Sequence, residues 1–192
     1  SLIYDPGSTF KIFTMASALD AEAIRPHSTH NLPGIYEYWG LEFQNWDKKT
    51  YPNQSMTSVL ANSSNTGALW VANRMGADRF YDYVDLFGFG RQSGIDLAGE
   101  VDGLVKTRGS LTWYPSDLAA NSFGQSISVT PIQMVSAFSA IANGGELVQP
   151  RVVRSIINPT GSITDTDINK KRILKLTTVR TLQQMMYDAE HA

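Results

Sequence analysis

The chain has 192 residues, a formal net charge of −2, 42% hydrophobic residues and 18% charged residues. This length fits one domain or part of one, and the composition is typical of a globular protein rather than a disordered one. The small charge gives no electrostatic case for nucleic-acid binding, and the lack of cysteine excludes disulfides, thiolate nucleophiles and cysteine-based zinc sites.

No apolar run in the sequence approaches the roughly 18 residues needed to cross a bilayer. The chain begins with Ser1 rather than methionine, and its clearest candidate catalytic motif is reached within eight residues. We therefore interpret it as an internal fragment, and we expect any membrane attachment to lie outside it.

The first predicted element is a helix that opens on the motif Pro6-Gly7-Ser8-Thr9-Phe10-Lys11 and extends to about Ile24. It is apolar on nearly every side, which is typical of a buried helix. Its polar residues recur at steps of three and so share one narrow stripe: Ser8, Lys11, Thr14 and Ser17. The pattern places a buried lysine one helical turn from a serine.

This pairing has a chemical meaning. A serine hydroxyl becomes a good nucleophile only when a neighbouring base takes its proton, and a lysine is such a base when burial lowers its pKa. The start of a helix also directs free backbone N–H groups at Ser8, where an oxyanion would develop during acyl transfer. The alternative is structural: Ser8 caps the helix and Lys11 extends its amine to water. The hexapeptide alone leaves both interpretations open.

Aromatic residues between positions 36 and 46 favour strand or loop packing in the next part of the chain. Ser55 is predicted to cap a short helix that begins at Met56 and leads into Ser63-Ser64-Asn65. A second helix then ends near Gly76. Asp78 is predicted to cap the next helix, and a long ordered loop is predicted over 91–118. A further helix is predicted to start at Thr130-Pro131. The chain then continues, by prediction, with a strand over 147–157, a turn at 158–161 into a second strand, and a helix from about Thr178. This alternation favours a mixed sheet covered by helices.

The motif Ser63-Ser64-Asn65 also has two interpretations. It could be a connector between helices, capped by Ser63 or Asn65. Alternatively, a hydroxyl near Ser8 and Lys11 could relay a proton to a leaving amine, while the asparagine amide holds the lysine and a substrate amide in register.

With both motifs in view, the sequence resembles the penicillin-binding proteins, the serine D,D-transpeptidases that cross-link bacterial peptidoglycan. Two of the family's three motifs, S-x-x-K and S-x-N, correspond to Ser8-Thr9-Phe10-Lys11 and Ser63-Ser64-Asn65. Longer stretches carry the resemblance along nearly the whole chain: 6–19, FGFGRQSGIDLAGE at 87–100, SFGQSISVTPIQM at 122–134 and LVQPRVV at 147–153. Within the family, the sequence is similar to the class B enzymes, the monofunctional transpeptidases of division or elongation. Residues 63–67 resemble the division type, and residues 43–46 resemble the elongation type.

The resemblance implies an α/β (mixed), serine β-lactamase/transpeptidase-like fold, with an antiparallel sheet flanked by a helical region and incomplete at both ends. Residues 1–192 would form a partial penicillin-binding transpeptidase domain that starts at S-x-x-K and ends before K-[ST]-G. Lys106-Thr107-Arg108-Gly109 does not replace this third motif, because Arg108 interrupts it and it precedes the SFGQ stretch. We expect the chain in isolation to be unstable or inactive, since a sheet that lacks an interior strand leaves backbone groups unpaired.

The resemblance also implies the roles of four catalytic residues. Ser8 attacks the carbonyl of the penultimate D-alanine of a stem peptide, Lys11 takes its proton, Ser63 protonates the leaving amine, and Asn65 orients Lys11 and the peptide amide. No metal or organic cofactor is needed. The implied partners are peptidoglycan stem peptides ending in D-Ala-D-Ala, β-lactams as covalent inhibitors, and glycosyltransferase and divisome or elongasome membrane proteins. The implied location is the periplasmic or extracellular side of the bacterial cytoplasmic membrane.

Two alternatives keep the same fold. One is a catalytically silent β-lactam-sensing or cell-wall scaffold domain, which would be stably acylated without cross-linking. The other is a serine β-lactamase, which would deacylate rapidly, although the SFGQ and LVQPRVV stretches favour a transpeptidase.

Overall fold

The computed structural model describes residues 2–192. Within them the chain forms seven α-helices: α1 (Lys11–Asp20), α2 (Met56–Ala61), α3 (Asn65–Met75), α4 (Ala77–Leu86), α5 (Pro115–Ser122), α6 (Pro131–Ala142) and α7 (Leu176–Glu190). It also forms eight short strands: β1 (Thr29–Leu32), β2 (Ile35–Tyr38), β3 (Leu41–Gln44), β4 (Tyr51–Ser55), β5 (Glu146–Val148), β6 (Ser155–Ile157), β7 (Ile163–Asp165) and β8 (Lys170–Arg172).

The strands pair antiparallel in four two-stranded ladders: β1 with β4, β2 with β3, β5 with β8 and β6 with β7. The strand predicted over 147–157 is two short strands instead. Pro150 has no N–H to give to a ladder, and the N–H groups of Val152 and Val153 donate to the Asp96 carboxylate, each at 2.7 Å. The predicted turn at 158–161 does connect two strands, β6 and β7.

Helix α1 lies at the centre of the hydrophobic core and packs against α3, α4 and α7. Phe10 and Phe13 are 1% and 2% exposed, and their rings lie 4.8–5.6 Å from each other and from a set of aromatic neighbours: Phe87, Phe89 and Phe138. Aromatic side chains at such distances contribute a large share of core stability. The core therefore fixes the helix that carries the first motif.

A 3₁₀ turn over Gly7–Phe10 precedes α1 and is held by the stretch after α5. The Gly7 N–H donates to the Gly124 carbonyl at 2.9 Å, and a Cβ at Gly124 would lie 2.1 Å from the Gly7 carbonyl oxygen. The Asp5 carboxylate accepts from the Ser126 N–H at 3.2 Å and from the Ser128 hydroxyl at 2.9 Å. The SFGQ stretch therefore supports the turn that presents Ser8.

Two of the predicted helix caps are present in the structure, and two other predicted boundaries differ from it. Ser55 caps α2 by accepting from the Ser58 N–H, and Thr130 caps α6 with Pro131 at its first position, as predicted. The predicted cap at Asp78 is wrong, because α4 begins at Ala77 and Asp78 lies in its first turn. The loop predicted over 91–118 is also wrong at its end, where α5 begins at Pro115.

Candidate active site

The first motif brings the Lys11 amine to the Ser8 hydroxyl. Ser8 is exposed in the 3₁₀ turn, whereas Lys11 is only 3% exposed in the first turn of α1. The two residues are three apart in sequence, and Lys11 Nζ lies 3.1 Å from Ser8 Oγ. The exposed hydroxyl is open to a substrate, and the buried amine is within hydrogen-bond distance of its proton.

The second motif meets the same amine from the other side. Lys11 Nζ donates to the Ser63 carbonyl oxygen at 2.5 Å and lies 2.9 Å from Ser63 Oγ. Ser63 has a φ of 48°, in the left-handed region that side chains other than glycine rarely adopt. This backbone conformation turns both oxygens of Ser63 toward Lys11.

Burial lowers the pKa of Lys11 from 10.5 to about 8, because an ammonium loses its hydration inside the protein. At neutral pH roughly a tenth of the amine is then in its neutral form, far more than for an exposed lysine. A neutral amine is a general base for a hydroxyl proton. The predicted burial of Lys11 is therefore confirmed, and its electrostatic consequence favours the catalytic interpretation over a snorkelling lysine.

Asn65 lies next to this cluster but contacts a different partner. Its amide nitrogen donates to the Gln44 carbonyl oxygen at 2.9 Å. Between residues 2 and 192 no hydrogen bond joins Asn65 to Lys11. The role of Asn65 toward the lysine therefore stays a prediction, while the structure places Lys11 in direct contact with both Ser8 and Ser63.

A cleft of about 330 Å³ opens beside the serine. Side chains from α1, α2 and α7 line it together with the two serines: Ser8, Thr9, Lys11, Ile12, Leu60, Ser63, Met186 and Ala189. Its lining is apolar apart from Ser8, Thr9, Lys11 and Ser63. No group of three or more histidine, aspartate or glutamate side chains in the described part of the chain is arranged to hold a metal ion.

Sequence reasoning assigned no role to two residues that shape this site. Gly124 allows the close approach to Gly7 that seats the 3₁₀ turn. Asn45 is 1% exposed and contacts both Ser64 and Thr66. The SFGQ resemblance pointed to the region of Gly124, and the pattern at 43–46 includes Asn45. Neither gave these residues a role, and the partners of Asn45 are 19 and 21 residues away in the sequence.

Comparison with known proteins shows the family of the chain. Residues 2–192 match the family model of the penicillin binding protein transpeptidase domain. The chain belongs to this family. Stage V sporulation protein D of Bacillus subtilis is 35% identical over 191 residues, and penicillin-binding protein PbpB of Mycobacterium tuberculosis is 32% identical over 188 residues. These alignments cover 97% and 95% of this chain.

Solved structures of the family have the same fold. The crystal structure of penicillin binding protein 3 from Mycobacterium tuberculosis complexed with aztreonam superimposes with a TM-score of 0.91 at 31% identity, over 96% of this chain and 41% of that one. The D,D-transpeptidase domain from Eggerthella lenta superimposes with a TM-score of 0.87 at 25% identity. The predicted family and transpeptidase-like fold are therefore confirmed.

The chain spans less than a third of the length of these two relatives. It covers 29% of the Bacillus subtilis protein and 27% of the Mycobacterium tuberculosis protein. The sequence contains S-x-x-K and S-x-N but no K-[ST]-G.

Proposed function

We propose that this chain supplies the nucleophile, the base and the proton relay of a peptidoglycan D,D-transpeptidase that acts through a serine acyl-enzyme. One observation carries the proposal: the buried Lys11 amine lies within 3.1 Å of the Ser8 hydroxyl and 2.9 Å of the Ser63 hydroxyl. A single base placed between two hydroxyls can take a proton from one and pass it on through the other.

In the first step, Ser8 Oγ forms a bond to the carbonyl carbon of the penultimate D-alanine, and its proton moves to Lys11 Nζ. The tetrahedral intermediate then collapses, and its C–N bond breaks. The departing nitrogen takes a proton from the Ser63 hydroxyl, which Lys11 reprotonates. D-Alanine leaves, and an ester remains on Ser8.

In the second step, an amine of a neighbouring stem peptide attacks the ester carbonyl. A new amide bond forms, the ester bond to Oγ breaks, and the proton lost by the amine returns to Ser8 through Lys11. A β-lactam would take the first step and leave Ser8 acylated. Asn65 is proposed to hold the substrate amide, and the Ser8 backbone N–H to supply half of the oxyanion hole.

The proposal extends to the cellular setting. Peptidoglycan stem peptides would be the substrates, and glycosyltransferase and divisome or elongasome membrane proteins would be the partners. The site would face the periplasmic or extracellular side of the cytoplasmic membrane. None of the helices described in residues 2–192 has the length and hydropathy to cross a membrane.

The direct test is the intact mass of the full-length protein after incubation with benzylpenicillin, with Ser8→Ala as the control. The expected result is a persistent adduct of one penicillin that is absent from the variant. No adduct on the folded protein, or an adduct that survives Ser8→Ala, would contradict the proposal.

Two further readouts separate the alternatives. A serine β-lactamase would lose the adduct rapidly and release hydrolysed drug. A silent sensor or scaffold would keep the adduct but form no dimer from stem peptides. A transpeptidase keeps the adduct and joins a stem peptide ending in D-Ala-D-Ala to an acceptor amine.

A further inference from the structure

Asn45, which follows β3, makes an unusual number of contacts for one buried side chain. It is 1% exposed. Its Oδ1 accepts from Ser64 Oγ at 3.1 Å, from the Thr66 N–H at 3.2 Å and from Thr66 Oγ1 at 3.3 Å. Its Nδ2 donates to the Lys49 carbonyl at 3.0 Å, and its own N–H donates to the Gly34 carbonyl at 2.9 Å. Because a backbone N–H can only donate, the contact with Thr66 fixes which end of the amide faces the second motif.

These contacts reach the turn that contains Ser63. On one side, the N–H groups of Ser63 and Ser64 donate to the carbonyls of Leu60 and Val59 in α2, at 3.0 and 2.9 Å. On the other side, Ser64 Oγ caps α3 by accepting from the Gly67 N–H at 3.0 Å. Ser63 lies between them in a left-handed conformation that persists only where its surroundings hold it. The Asn45 side chain joins this turn to the end of β3.

The residue before Asn45 holds the other end of the motif. The Gln44 carbonyl accepts from the Asn65 amide. Two consecutive residues of one strand end therefore contact Ser64, Asn65 and Thr66. The hydrogen bonds of the turn with α2 and α3 alone would allow the turn and these two helices to move together. The contacts with Gln44 and Asn45 fix the position of the turn relative to the rest of the fold.

We propose that Asn45 is a positioning residue of the active site, which acts through Ser64 and Thr66 to keep both oxygens of Ser63 against Lys11. This inference rests on the proposed function, because its readout is the acylation of Ser8. Among residues 2–192 no hydrogen bond joins Asn45 to Ser8 or Lys11, so we expect its effect to pass through the turn that contains Ser63.

The test compares Asn45→Leu and Asn45→Asp in the full-length protein, by rapid-quench measurement of acylation by benzylpenicillin over a range of drug concentrations. Leucine keeps the volume but removes the acceptor, and a displacement of about 1 Å at a reacting group costs on the order of 10²-fold in rate. We expect Asn45→Leu to lower the limiting acylation rate about 10²-fold, with little change in the non-covalent dissociation constant. Asn45→Asp keeps the acceptor oxygen and is expected to be at least about 10-fold faster than Asn45→Leu.

Gln133→Leu is the matched control. Gln133 is another buried carboxamide, 2% exposed, which bonds at the start of α6 to Thr130 and to the carbonyls of Arg91 and Asp102. It contacts neither motif. At a temperature where both proteins are folded, we expect Gln133→Leu to acylate within about twofold of the wild type.

A double-mutant cycle with Ser63→Ala tests the route of the effect. If Asn45 acts through Ser63, Asn45→Leu will slow acylation less in the Ser63→Ala background than in the wild type. If Asn45→Leu fails to fold, Thr66→Val removes one of the three contacts with little change of shape and is expected to lower the limiting rate several-fold.

The inference is overturned if Asn45→Leu or Thr66→Val acylates at the wild-type rate, or if their loss in limiting acylation rate only equals that of Gln133→Leu. It is also overturned if the effects of Asn45→Leu and Ser63→Ala on that rate are additive. Each of these outcomes requires a wild-type protein that is acylated at Ser8. A wild-type protein that forms no adduct overturns the proposed function instead, so the two failures are distinguishable.

Discussion

The Lys11 amine and the Asp96 carboxylate are each the centre of a small hydrogen-bonded cluster, and the two clusters differ in burial. Lys11 is almost fully enclosed by the two motifs, and loss of hydration lowers its pKa to about 8. Asp96 is exposed beside the late strands, and the backbone N–H groups of Val152 and Val153 lower its pKa by stabilising the charged form.

Burial at Lys11 and hydrogen bonding at Asp96 therefore have opposite consequences for the charged form. At Asp96 the favoured form is the ion, so the hydrogen bonds stabilise the fold at neutral pH. At Lys11 the ion is disfavoured, so its burial costs stability and leaves more of the amine in the neutral form that can accept a proton. The buried cluster therefore opposes folding at neutral pH and keeps part of the amine neutral, whereas the exposed cluster attaches a loop.

The largest effect is expected from Lys11→Met, which keeps the length of the side chain and removes the base. We expect acylation of Ser8 to fall about 10²- to 10⁴-fold, the usual contribution of a general base. The wild-type rate should rise about 10-fold per pH unit up to a pKa of about 8, and this rise should be absent from the variant. The measurement is the rate of adduct formation from pH 6 to 10 by intact mass.

Lys11→Met also tests how much stability the fold loses by burying the Lys11 ammonium. Because folding lowers the pKa of Lys11 below its unfolded value of 10.5, the penalty of burying the ion is full below about pH 8 and is relieved as the pH rises toward 10.5. Lys11→Met should therefore be at least as stable as the wild type at pH 7, with the difference in Tm shrinking as the pH rises through this window. A variant that is much less stable at pH 7 would contradict the assigned cost.

An intermediate effect is expected from Ser63→Ala and Ser63→Gly, which both remove the hydroxyl near Lys11. Acylation should fall about 10²-fold in each, in the range of a lost proton-transfer group. Their stabilities should differ, because alanine is strained at a φ of 48° and glycine is not. We expect the glycine variant to be more stable by about 1 kcal/mol, measured by denaturant unfolding. Equal stabilities would show that the left-handed turn stores no strain.

The first motif was predictable because the residues that contact each other in it are close together in the sequence. The spacing of Ser8 and Lys11 on an apolar helix predicted a buried amine beside a hydroxyl, and the structure has both. The caps at Ser55 and Thr130 were predictable for the same reason, since a cap and its helix are adjacent.

The second motif was only partly predictable, because long-range contacts decide its geometry. The resemblance marked Ser63 and Asn65, but not the left-handed backbone of Ser63 or the attachment of Asn65 to Gln44. Helix α5 was missed because Tyr114 at its N-cap is not a usual capping residue, although Pro115 and Asp117 fit the start of a helix. Pro150 could have indicated the break in the strand over 147–157, because proline gives no N–H to a ladder. The contact with Asp96 could not be predicted, since it lies more than fifty residues away.

The smallest effect is expected from Asp96→Asn. An amide presents one acceptor oxygen where the carboxylate presents two, so one of the N–H groups of Val152 and Val153 loses its partner. We expect Tm to fall by a few degrees at pH 7, with acylation of Ser8 unchanged, because none of these residues contacts Lys11 or Ser63. Asp167→Asn is the matched control, since the Asp167 carboxylate lies nearby on the same surface and makes no hydrogen bond or ion pair in the described part of the chain.

The pH dependence of this difference decides whether Asp96 acts as an ion. Folding lowers its pKa below the ordinary 3.8, so its contribution is complete above that pH and is lost as the pH falls through the folded pKa. The gap in Tm between the wild type and Asp96→Asn should therefore close in acid, while that of the control stays near zero. A gap that persists in acid would show that Asp96 does not act as an ion. Slowed acylation at Ser8 would mean that the exposed cluster is coupled to the buried one, because the loss of a surface contact alone cannot change the environment of an amine enclosed by α1 and the Ser63 turn.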